Sequence, residues 1–439
     1  LMITTIVVVT TFGFLTEGNK AMKSLGWLPD PLGFLPEILG MIAVVMVIVL
    51  GVRSRLQVVR PGYWFTFGAL LIGILCGIFA NSVEPGPIFA GIRYYLRAIP
   101  MFFVPAVFLF TERHVRTQLY VLLGIAIVQF PLAVYQRILT RGMGEYTGDW
   151  TSGTLMISSI MSTYLIWCVC IAAGFFLRKR LTAGTFLALT LLLLAPTTIN
   201  ETKGTIVLLP LGLMVVFLIG SQAGTRGKNL VVAAGTLILF GAIFVPIYDY
   251  FIADKPQGHT LGTFLDPDRT EHYLLKGSEI GDTGKARRGD GIIVPLKSLS
   301  RDPVKLVFGL GIGNASHSQL GEGFTGRYYD MYAPFLLHQF AKFVLEIGLM
   351  GTFLVLVLFW LVFRDCIAVA QRTNDVKGIL ALGWTGVTAI MVIGIFYKEY
   401  AYFDSISFLF WFYAGVIAAE RVRLARTETN EPAVAQSVL

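Results

Sequence analysis

The stretch "LLHQFAKFVLEIGLMG" (336–351) opens an apolar segment that runs on to about residue 363. Its length suits a membrane-crossing helix, which needs about 20 mainly apolar residues. Yet it begins with His338 and carries Lys342 and Glu346 at four-residue intervals. Residues four apart share one helix face. At about 1.5 Å per residue, Glu346 lies about 12 Å along the helix from His338. Charges inside such a helix are costly and commonly functional. Two readings stand at this point. His338 is an interfacial histidine above a Lys342–Glu346 pair that neutralises itself, or the stripe carries chemistry.

The rest of the chain has the same character. Of 439 residues, 55% are hydrophobic and 14% charged, and the mean hydropathy is +0.71. These values exclude an ordinary soluble domain. The apolar runs are continuous rather than alternating, so the expectation is an all-α polytopic membrane protein and not an outer-membrane barrel. The first run lacks the basic region and small-residue cleavage site of a signal peptide. About twelve spans are expected, near 2–16, 34–52, 63–82, 88–110, 117–138, 153–177, 182–199, 204–220, 229–251, 336–363, 378–397 and 403–420. Each even-numbered span is followed by a basic loop, such as "RKR" at 178–180. By the positive-inside rule both termini are then cytoplasmic. The same rule accounts for the net charge of +8 without nucleic acid. The expected organisation is spans one to nine over 1–251, a long outer loop with short helices over 252–335, spans ten to twelve over 336–426, and a disordered cytoplasmic tail over 427–439. A structureless loop that long is commonly functional.

Three further clusters could act with the opening stretch. "GKARRGDGIIVPLKSLSRDPVKLVFGLGIGNASHS" (284–318) contains Lys285, Arg287 and Arg288, then a glycine-rich turn. Guanidinium groups suit phosphate oxygens, and glycines let backbone approach a ligand closely. The alternative is a solvated basic loop. "TTINETKGT" (197–205) places Glu201 and Lys203 at an outer turn, as an interfacial pair or as an anion site at a helix start. Arg93, Arg97, Arg137 and Arg141 also fall on or near the outer side, against the usual bias. Together these cations outline an anion-binding cavity. His317, just after the glycine-rich turn, reads as a solvated loop residue, with a ligand contact as the alternative. Cys76, Cys168, Cys170 and Cys366 read as free core thiols. The histidines and carboxylates show no metal-ligand spacing, and no cofactor motif is present.

These clusters, in this order, resemble the superfamily of O-antigen ligases and Wzy-type O-antigen polymerases. The resemblance rests on Arg288 before Pro303, on "GLGIG", on "TKG" at the outer turn, and on His338 followed by Glu346, Gly348 and Gly351. Gln339 stands where Asn is common, and Lys203 where Arg is common. The resemblance implies a metal-independent inverting glycosyltransferase of the bacterial inner membrane, with its active site on the periplasmic face. The donor would be an undecaprenyl-diphosphate-linked glycan. Arg288 would hold its diphosphate, helped by Arg287, Lys203, Arg93 and Arg97. His338 would be the general base, with Gln339, Lys342 and Glu346 as structural support. A polymerase of surface polysaccharide or exopolysaccharide is favoured, accompanied by a chain-length regulator or flippase. A ligase acting on lipid A-core or protein is the alternative within the family. A secondary transporter or flippase of an anionic solute is the alternative outside it.

Overall fold

The computed structural model describes residues 35–53, 59–108, 110–139, 148, 150–155, 157–200, 202–253, 289–318, 320–336, 338–400 and 403–435. The expected first span, Arg141, Glu201, Lys285, Arg287 and Arg288 lie outside these residues. Among the described residues the chain is all-helical, with no strand. The longer helices are α1 (Leu35–Arg53), α2 (Pro61–Ala80), α3 (Pro85–Leu96), α4 (Pro100–Val107), α5 (Glu112–Leu139), α6 (Ser158–Leu177), α7 (Ala183–Ile199), α8 (Gly204–Gly220), α9 (Arg226–Ala253), α10 (Asp290–Leu299), α11 (Pro303–Phe308), α12 (Gln339–Arg372), α13 (Val376–Gly394) and α14 (Asp404–Ala435). Seven of them are long and apolar enough to cross a membrane. The protein is therefore a multi-pass membrane protein.

At the centre, α13 packs against α6, α8 and α12. Small residues allow the close approach, as is common between membrane helices. A Cβ on Gly383 of α13 would lie 2.6 Å from Ile171 Cα of α6, and one on Gly386 would lie 2.6 Å from Gly212 O of α8. Trp167, Trp384 and Phe410 stack in the same core, with ring centroids 5.6 Å to 6.3 Å apart.

Three expected elements differ. The segment 88–110 is not one span but two short helices, α3 and α4. Pro100 starts the second, where its missing N–H costs nothing. The tail expected to be disordered from 427 continues α14 as far as Ala435. Arg423 grips Glu420 one turn back, which steadies the helix just before that tail.

The expected span at 336–363 is also not one rod. Gly348 interrupts α12 with φ 68° and ψ −173°. The turn around Gly309 fills the break. A Cβ on Gly348 would lie 2.2 Å from Val307 O, and one on Gly309 would lie 2.6 Å from Gly348 N. Leu345 O, released by the break, accepts from Leu310 N at 2.7 Å. Left-handed backbone and contact both demand glycine here. Gly348→Ala is therefore expected to destabilise the protein by at least about 2 kcal/mol. Gly124→Ala on α5, where nothing lies within 4 Å, should be neutral or slightly stabilising. Thermal unfolding of the detergent-solubilised protein measures both.

Candidate functional site

The site is built on the half of α12 before the break, Gln339–Ile347. His338 caps it, with extended backbone and Nδ1 accepting from Ala341 N at 3.2 Å. The side chain is fully buried. The first turn of α10 lies against the ring: a Cβ on Gly291 would stand 2.8 Å from Nε2. Phe340 N, an end donor of the helix, finds Ile395 O just past α13 at 2.9 Å. The start of α12 is thereby tied to the end of α13.

Lys342 and Glu346 are both buried, but they do not pair with each other as expected. Lys342 Nζ turns to Glu399 Oε2 at 3.5 Å and sits 3.5 Å above the Tyr94 ring. Glu346 accepts from Tyr95 Oη at 2.9 Å, Ser316 Oγ at 2.6 Å and Ala315 N at 3.2 Å. A buried carboxyl group without such donors would be costly. These bonds fasten the glycine-rich turn to α12 at one side and α3 at the other. Gln339 Oε1 lies 3.1 Å from Tyr94 Oη, which is also 3.3 Å from Glu399 Oε2. One phenolic proton thus serves two acceptors.

Beside this network lies a cavity of about 480 Å³. Arg93, Arg97, Lys342 and Lys398 line it, with Glu399 as the carboxylate among them. Ser316, His317 and Ser318 form part of another wall. The expected gathering of outer cations is therefore found for Arg93 and Arg97, joined by Lys342. Lys203 and Arg137 are not among the lining residues. Lys203 sits at the N-cap position of α8, and the next residue, Gly204, packs on Tyr397. It thus neighbours the loop that carries Lys398. Of the lining residues, sequence reasoning left His317 between solvent and a ligand contact and passed over Tyr94, Lys398 and Glu399. A signal existed for the last two: "YKEYAYFD" (397–404) places opposite charges in a short loop between apolar spans.

Among the described residues no group of three or more His, Cys, Asp or Glu side chains could hold a metal. All four cysteines are free. Four cations and one carboxylate surround the cavity, with apolar helices behind.

Removing Glu346 leaves three buried donors without their acceptor. Glu346→Ala should cost about 3 kcal/mol of stability and raise hydrogen exchange over residues 309–318. Glu346→Gln retains one acceptor oxygen and should lose less. Equal losses in the two variants would refute the clamp. The chain matches no protein-family model and no curated protein.

Proposed function

We propose that the protein is a membrane glycosyltransferase that moves a glycan from an undecaprenyl-diphosphate carrier to a sugar hydroxyl. The observation that carries this reading is the cavity in which Arg93, Arg97, Lys342 and Lys398 meet beside the His338-capped half-helix. Such cations suit a leaving diphosphate, whose negative charge grows in the transition state. Arg288 and Arg287 belong to this proposal through the sequence pattern alone, Arg288 standing three positions before Gly291. Lys203 joins them from the adjoining turn. The twelve-span topology, the cytoplasmic termini and a site on the periplasmic face of the inner membrane are part of the same proposal. A polymerase is preferred over a ligase, and the acceptor distinguishes them: another lipid-linked repeat unit, or lipid A-core or protein. A transporter commonly uses unwound helices to line an open ion path. Here the break in α12 is packed by the turn at Gly309, which favours the enzyme.

In the reaction the acceptor oxygen attacks the anomeric carbon, the bond to the diphosphate breaks with inversion, and a base takes the hydroxyl proton. His338 is the proposed base. Its geometry sets a condition. While Nδ1 accepts from Ala341 N, the neutral ring carries its proton on Nε2. Taking a proton at Nε2 therefore requires the other tautomer and an open cap. That condition supports a second reading, in which Nε2–H donates to the leaving diphosphate and Glu399, on the cavity wall, takes the proton.

Transfer from a lipid-linked donor by the purified protein tests both. His338→Ala should lower the rate by about 10²-fold or more, the usual contribution of a positioned acid or base. His338→Asn keeps a capping acceptor and a donor but no base. Full loss in His338→Asn with normal activity in Glu399→Gln supports His338 as base; the reverse supports Glu399. Wild-type transfer in His338→Ala and in Glu399→Gln would sink both. Arg97→Gln should raise KM for the donor about tenfold through loss of charge-assisted hydrogen bonds.

A further inference from the structure

The opposite end of α13 borders a different pair of cavities. Helix α13 has 19 residues, so its ends are about 28 Å apart. Lys398, just beyond one end, lines the cationic cavity, whereas Val376, at the other end, lines a second cavity of about 390 Å³. That volume falls in the range of small-molecule sites, about 300–1,000 Å³. Its walls are apolar and come from α5, α6, α7 and α13, among them Leu119, Leu122, Ile171, Phe175, Leu189 and Ile379. Arg180 stands at its rim, and Arg116 is there too, paired with Glu112 at 2.8 Å.

A third cavity, of about 250 Å³, adjoins it and shares Arg180 and Leu181. This one is more polar than the first, lined by Lys179, Arg180, Thr182, Thr225 and Asn229 together with Phe176, Leu177 and Leu181. Lys179 and Arg180 have no ion-pair partner among the described residues. The turn that holds them is a helix C-cap in which Lys179 N donates to Phe176 O and Arg180 N to Phe175 O, both at 2.9 Å. Lys179 has φ 58° there, a position normally given to glycine. The chain thus keeps a cation where the backbone favours a residue without a side chain.

We infer that these joined cavities form a binding site for one anionic phospholipid, its acyl chains in the apolar cavity and its phosphate between Lys179 and Arg180. The charge pattern selects this occupant. A zwitterionic headgroup would bring its own cation to two unpaired cations, and an apolar molecule would leave the polar cavity unused. The site lies at the end of the helices that bears the basic loops, where anionic headgroups are attracted. It is remote from the proposed reaction and independent of it. A bound lipid bridges α5, α6, α7 and α13, and so braces the helix that the Lys398–Glu399 loop follows.

The test uses the full chain purified in detergent, with dioleoyl-phosphatidylglycerol and dioleoyl-phosphatidylcholine as probes. Native mass spectrometry should show one phosphatidylglycerol retained about tenfold or more over phosphatidylcholine. Lys179→Gly/Arg180→Gln removes both charges while relaxing the turn, and should abolish that preference without unfolding the protein. Equal retention of the two lipids, or a preference that survives in the double variant, would each overturn the site.

Discussion

The break at Gly348 is the constraint on which the functional half of the molecule depends. Inside a membrane protein every backbone polar group must find a partner within the protein. Unwinding α12 frees Leu345 O, and Leu310 N supplies the missing bond at 2.7 Å. The turn at 309–313 is therefore part of the helix's own hydrogen bonding. Its glycines are fixed by contact on both flanks: Gly309 against Glu346 and Gly348, Gly313 against Pro87 and Gly91. The break also explains why a long apolar segment opens with polar residues. The part after it, residues 349–372, is about 36 Å long and carries most of the apolar run. The half-helix 339–347 is thereby set off at an angle of its own and can face a polar cavity.

The two buried charges of the half-helix are then used to hold different neighbours. Paired with each other they would be neutral but would fasten nothing else. Instead Lys342 binds the loop after α13 through Glu399, and Glu346 binds the glycine-rich turn and α3 through neutral donors. In low dielectric, loss of any one partner leaves a costly unpaired group. Three segments far apart in sequence are thus held around one cavity by two residues one turn apart.

Much of this was legible in the sequence for a definite reason. Apolar runs report spans because lipid tolerates little else, and the stretch from His338 to Gly348 is set apart in the structure as a half-helix. The contact partners were not legible. Spacing at i and i+4 predicts Lys342 with Glu346 because both are on one helix, but tertiary neighbours Glu399, Tyr95 and Ser316 are better placed. Nothing in a single sequence shows that "YKEY" (397–400) meets "IRYYLR" (92–97) across a cavity. The break between α3 and α4 was signalled by Pro100 and by Arg93 and Arg97, yet a run of apolar residues around them masked it. For His317 the sequence leaves a solvated residue and a ligand contact both open; the turn's attachment to Glu346 brings it to the cavity.

The remaining question is how a wall made of loops stays in place. Glu399 and Lys398 follow α13, whose contacts with α6 and α8 are set by glycines and leave little room to shift. Beyond its last turn, Tyr400 Oη lies 3.1 Å from Thr163 Oγ1 of α6, and Gly394 packs on the Tyr400 ring. Ile395 O then accepts from Phe340 N, so the end of one helix satisfies the start of the next. The cavity's charged residues therefore stand on a rigid core from one side and on the break in α12 from the other. In the proposed transfer, a cation set held this way would meet the developing anion without reorganising first, which a solvated basic loop would not.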